Sequence, residues 1–151
     1  MSDLRELYQE MILDHGRNPR HCCVMPHANR QAEGFNQLCG DRLTLYLAVE
    51  NNIIKDISFT GSGCAISMAS ASLMSEALKG KTEAEAISFF QKFHKLLTLE
   101  NSPANPAKDL AKLVVFAGVK AYPARVKCAT LAWHTLHAAL YEKKEIVSTE
   151  S

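Results

Sequence analysis

From residue 43 onward the hydrophobic pattern changes period once, near residue 60, from two to about 3.6. Upstream, Leu43, Leu45, Leu47 and Val49 alternate with Thr44, Tyr46, Ala48 and Glu50, as in a strand with one buried face. Asn51-Asn52 interrupts the run, and residues 53–59, rich in strand formers, resume it, so the two segments predict a hairpin. Downstream, Gly61-Ser62-Gly63 breaks the strand, and residues 65–78 read as a helix whose small residues allow close packing on a sheet.

Other elements follow from the same reading. Leu4, Leu7, Tyr8, Met11 and Ile12 form a helical stripe over residues 3–14. Residues 15–36 are irregular, broken at Asn18-Pro19, Pro26 and Gly34, with a short strand expected near residues 29–34. Thr82 and Glu85 make a capping-box pattern before a helix reaching about Leu97. Residues 101–106 form a polar, proline-containing loop, and a further helix is expected over about 107–117. Tyr122-Pro123-Ala124 interrupts again, and residues 126–141 have the spacing of a long terminal helix with a charged tail beyond it. Strands first and helices after predict an α+β domain: a small antiparallel sheet of about three strands, packed on one side by several helices. With no internal repeat and no compositional boundary, residues 1–151 are expected to be a single domain.

Charge and composition narrow the function. Lys plus Arg total 17 against 16 Asp plus Glu, interspersed, so no broad positive field exists to hold phosphate backbones, and nucleic acid is not an expected partner. The first residues mix acids with apolar side chains, unlike a signal peptide, and no stretch approaches the about 18 apolar residues of a membrane span. A cytoplasmic protein without a membrane partner is expected. Five cysteines is an odd number, and in a reducing compartment such residues are more often ligands, nucleophiles or buried thiols than disulfides.

Placement decides among those roles. Cys39 and Asp41 lie two apart at the entrance to the first clear strand, which would point both to one face. Cys64 follows the neighbouring strand through the Gly-Ser-Gly turn and falls at a helix start, and Cys128 is likewise expected near one. Unpaired N–H groups and the helix dipole favour thiolate there. Three thiolates and a carboxylate would complete a tetrahedral zinc site. Spacing alone does not establish one, because the chain has no CxxC pair and an isolated cytosolic cysteine is more often a buried small hydrophobe. Cys22 and Cys23 are neighbours that cannot share a strand face and are given no role. His134 and His137, three apart on a helix, have the spacing to grip a metal, although surface or satisfied core histidines are commoner.

The flanking words carry more. Leu38-Cys39-Gly40-Asp41, then Gly61-Ser62-Gly63-Cys64-Ala65-Ile66-Ser67 with Ala69-Ser70-Ala71-Ser72, then Arg125-Val126-Lys127-Cys128-Ala129 resemble the three cysteine segments of the IscU/NifU family of iron-sulfur cluster assembly. Scaffold-type members carry a histidine just before the third cysteine and an LPPVK chaperone-recognition segment. This chain has Lys127 there and reads Tyr122-Pro123-Ala124-Arg125-Val126, and its second and third cysteines lie farther apart, which is similar to the SufU branch.

The resemblance implies that Cys39, Asp41, Cys64 and Cys128 bind Zn2+, with Asp41 the fourth ligand in place of the histidine. It implies that Cys39 accepts persulfide sulfur from a SufS-type cysteine desulfurase and that downstream iron-sulfur assembly proteins are further partners. Arg125 and Lys127 are candidates for lowering thiol pKa and balancing charge beside the ligands. The alternative is a scaffold on which an iron-sulfur cluster is built, with iron or a cluster bound transiently at the same residues. A cysteine hydrolase pairing Cys128 with His134 is disfavoured, since residues six apart fall on different helix faces.

Overall fold

The computed structural model describes residues 2–36, 40–98, 113, 115–116, 119, 122–141 and 147–148. Helix α1 (Ser2–Arg17) leads through an irregular segment to strands β1 (Arg30–Asn36), β2 (Asp41–Glu50) and β3 (Ile53–Ser62). Helices α2 (Ala65–Leu78), α3 (Glu83–Thr98) and α4 (Pro123–Leu140) follow, with a two-residue strand β4 (Val147–Ser148) near the end. The sheet order is β3-β2-β1-β4, with the first three strands antiparallel and β4 parallel to β1. The expected three-stranded sheet therefore gains a short parallel edge from the tail.

The hairpin forms where the alternation places it. Asn51 and Asn52 both take positive φ, 51° and 65°, the two-residue turn that matches strand twist and that asparagine tolerates. Along β2 the buried positions are Asp41, Leu43, Leu45, Leu47 and Val49, so Asp41 lies in phase with the hydrophobic face and points into the protein. The same holds for Asn36, in phase with Ala32 and Gly34 at the end of β1. A carboxylate and a carboxamide thus share a core face, where each needs polar partners.

Helices α2 and α4 cover that face, α1 lies on α2, and α3 packs on α4. Gly34 lets α4 approach β1, since a Cβ there would collide with Thr135 Oγ1. The core centres on Trp133, with Phe93 at 5.1 Å between ring centroids and Phe59 and Phe116 fully buried. Thr82 and Glu85 exchange the two hydrogen bonds of a capping box at 3.1 Å each, before α3. Among the described residues no helix is long and apolar enough to cross a membrane.

Three expectations change. β1 is longer than the strand expected near residues 29–34 and lies inside the sheet; its core face is Ala32, Gly34 and Asn36, so no run of large apolar residues announces it. Pro123 opens α4 instead of interrupting it, since a proline at the first helical position gives up an N–H that has no partner anyway. Cys128 consequently sits in the second turn of α4, not at its start, so the helix dipole does not act on it as expected. The loop at 101–106 and most of the helix expected over 107–117 lie outside the described residues; Leu113, Val115 and Phe116 are buried in 3₁₀ conformation.

Candidate metal centre

Four elements meet at one end of the sheet. Asn36 and Asp41 are cross-strand partners at the last rung of β1–β2. On the other side of β2, Ser62 pairs with Arg42, so the chain leaving β3 passes directly beside Asp41. Gly63 makes that passage possible, because a Cβ on it would stand 2.5 Å from Asp41 Oδ1. The next residue, Cys64, donates its backbone N–H to Asp41 Oδ1 at 2.8 Å and caps α2, its Sγ accepting from Ser67 N–H at 3.4 Å. A thiol here occupies the position usually held by a hydroxyl or carboxylate oxygen.

Helix α4 brings in Cys128, buried at 2% exposure. Asn36 Nδ2 donates to Asp41 Oδ2 at 3.2 Å and to Cys128 Sγ at 3.5 Å. The Cys64 thiol lies 3.9 Å from Asp41 Oδ2. The donor atoms of Asp41, Cys64 and Cys128 all fall within 4.8 Å of one another, and among the described residues this is the one such group of three.

The environment favours ionised sulfur. The Cys64 thiol is lowered from 9.0 to about 7, chiefly by the hydrogen bond from Cys128, against desolvation, with the Ser67 N–H adding to the effect. Two sulfurs and one carboxylate oxygen suit zinc, which takes sulfur at about 2.3 Å and oxygen at about 2.0–2.2 Å. A tetrahedral ion would leave one position for a further ligand.

Cys39 lies outside the described residues. Arg125 is exposed with its guanidinium 4.5 Å above the Tyr122 ring, and Lys127 is half-buried in α4 just before Cys128. Cys22 and Cys23 are exposed on a segment tied to β3 by the Phe59 N–H donating to the His21 carbonyl at 3.0 Å. Burial, then the neighbouring Cys23, raises the Cys22 thiol pKa. His134 and His137 line a cavity between α3 and α4 with Phe90 and His94. Cys128 meets Asn36, while the His134 ring lies edge-on to Phe90 at 5.2 Å between centroids. Sequence reasoning missed Asn36: its link to the site is the strand register opposite Asp41, which no local word signals.

The NifU-like N terminal domain family matches residues 7–129 of the chain. The zinc-dependent sulfurtransferase SufU of Bacillus subtilis (strain 168) is 36% identical over 143 residues, covering 95% of each chain. The iron-sulfur cluster assembly scaffold protein IscU of Thermotoga maritima is 41% identical over 134 residues, 89% of this chain and 92% of that one. Among solved structures, FiSufU of Fervidobacterium islandicum AW-1 superposes with a TM-score of 0.81 at 36% identity, over 87% of this chain and 94% of that one. A NifU-like protein from Brucella abortus gives 0.81 at 25% identity, over 90% and 93%. Shared fold, shared length and a match running from α1 into α4 lead to one conclusion: the chain belongs to the NifU-like N-terminal domain family.

Proposed function

We propose that this chain serves iron-sulfur cluster assembly as a zinc-dependent acceptor of persulfide sulfur, with Cys39, Asp41, Cys64 and Cys128 as ligands and a SufS-type cysteine desulfurase as donor. The observation that carries the reading is the convergence of Asp41, Cys64 and Cys128 within 4.8 Å on the core side of the sheet. Membership of the family and the likeness to a zinc-dependent sulfurtransferase support it. Cys39 is two residues from Asp41, so chain length alone keeps their Cα atoms within about 7 Å.

Bound zinc would hold the thiols deprotonated and their nucleophilicity low. Asp41, the hardest donor of the four, is the ligand most readily exchanged. Cys39, between β1 and β2 in the sequence, is the acceptor: its thiolate attacks the outer sulfur of the desulfurase persulfide, and the desulfurase thiolate leaves as the S–S bond breaks. Arg125 and Lys127, ahead of Cys128 on α4, are the candidates for balancing the negative charge of the ligands.

Elemental analysis of protein purified without added iron should find one zinc per chain. Cys64→Ala and Cys128→Ala should abolish it, and Asp41→Ala should weaken it less. With desulfurase, cysteine and reductant, the native chain should accelerate sulfide release, and brief reaction without reductant should leave one extra sulfur on Cys39. Sulfur found mainly on Cys128, or full stimulation by Cys39→Ser, would overturn the assignment. The scaffold reading, favoured by the likeness to the Thermotoga IscU, would then be preferred, and a coloured protein holding iron and sulfide would establish it.

A further inference from the structure

The geometry points to Asn36 as the residue that positions the metal ligands, one amide nitrogen donating both to Asp41 from β2 and to Cys128 from α4; the inference rests on the zinc reading above. Asn36 is fully buried at the end of β1, and its Oδ1 has no hydrogen-bond partner among the described residues. A buried polar atom left unpaired costs about 1–3 kcal/mol. An apolar residue would avoid that cost, so the contribution of Asn36 lies in its nitrogen.

The nitrogen is matched to its surroundings. A primary amide offers two N–H donors, and the two atoms it meets, Asp41 Oδ2 at 3.2 Å and Cys128 Sγ at 3.5 Å, are both acceptors when ionised. Turning the amide over would set its oxygen against both, so ionised ligands hold it in this orientation. A neutral amide also adds no negative charge to a group that already carries a carboxylate and thiolates.

Its effect on Asp41 is specific. Oδ1 is taken by the Cys64 N–H at 2.8 Å, and Oδ2 by Asn36, so the two bonds fix the rotation of the carboxylate from opposite sides. Oδ2 also accepts from the Cys64 thiol, 3.9 Å away, so the carboxylate faces that sulfur. Asn36 thus aligns a strand ligand and a helix ligand that the backbone alone joins only through the packing of α4 on the sheet. It acts through the ligands it touches, so its role is positioning.

The test measures metal directly. Zinc affinity by chelator competition should fall about 10–100-fold in Asn36→Ala, the usual loss for an outer-shell partner. The thiolate-to-metal absorption bands of cobalt-loaded protein should shift, while circular dichroism of the metal-free variant stays native. In an Asp41→Ala background the same change should cost markedly less, because half of what Asn36 holds is already gone. If Asn36→Ala does not fold, Asn36→Leu, of similar shape but without donors, carries the same expectations. A native chain that binds zinc alongside an Asn36 variant that binds it equally, with unshifted cobalt bands, overturns this inference alone. Losses that simply multiply in the double variant overturn it too. A native chain taking up neither zinc nor cobalt overturns the zinc reading and this inference together.

Discussion

At the scale of single residues, the thiols of this chain are set apart by what each touches. Cys64 receives a hydrogen bond from Cys128 and another from the Ser67 N–H, which bring its pKa down to about 7, whereas burial and Cys23 move Cys22 upward. The lowered value means that thiolate at Cys64 stabilises the metal-free fold fully above the ordinary thiol pKa and that this contribution is lost as pH falls through about 7. In metal-stripped protein, the pH midpoint for iodoacetamide labelling of Cys64, followed by peptide mass spectrometry, should therefore lie near 7 and that of Cys22 above 9.0. Cys128→Ala should move the Cys64 midpoint upward, because it removes the largest cause of the shift. An unchanged midpoint would mean that the two sulfurs do not share a proton. Zinc should protect Cys64 from the label and leave Cys22 reactive.

Among the elements, the corner between β3 and α2 does the most for the site. Its sequence, Gly61-Ser62-Gly63, ends a strand, and its third position also has to let Asp41 through. Asp41 cannot yield cheaply to a Cβ at 2.5 Å, since it is buried and bonded on both oxygens. Gly63→Ala should therefore displace the carboxylate and lower zinc retention at least as much as Asp41→Ala, while the metal-free protein still melts cooperatively. Competition with a chromogenic chelator reads the first effect and a thermal scan the second. Native zinc retention in Gly63→Ala would show that the corner has room to move.

For the whole molecule, the site is a closure device: its described members come from β1, β2, the start of α2 and α4, and unfolding separates them. Metal held only by the folded chain must stabilise it, by about 4 kcal/mol at a free concentration 1,000 times Kd. The single tryptophan reports on this well, because Trp133 is fully buried beneath α3 and donates to Ser70 Oγ at 3.2 Å, linking α4 to α2. Urea unfolding followed by Trp133 fluorescence should shift to higher midpoint on adding zinc, and Cys64→Ala should abolish the shift. Equal midpoints with and without zinc in the native chain would uncouple the metal from the fold.

What the sequence determined by itself is whatever local period and turn chemistry dictate. The β2–β3 hairpin on Asn51-Asn52, the helix over residues 65–78 with Cys64 before it, and the capping box at Thr82 are all legible there, because each depends on residues a few positions apart. The family resemblance in the three cysteine words added the proposed ligand set, which spacing alone did not supply. Tertiary structure decided the rest. β1 is legible only as a short strand near residues 29–34 because its core face is small and polar, and Cys128 falls deeper in its helix because Pro123 opens α4. The meeting of Asp41, Cys64 and Cys128, and the part of Asn36 in it, depend on strand register and on α4 crossing the sheet. Those contacts join residues far apart in the chain, and their free energy comes from burying a shared core, a property that no short stretch of the sequence carries.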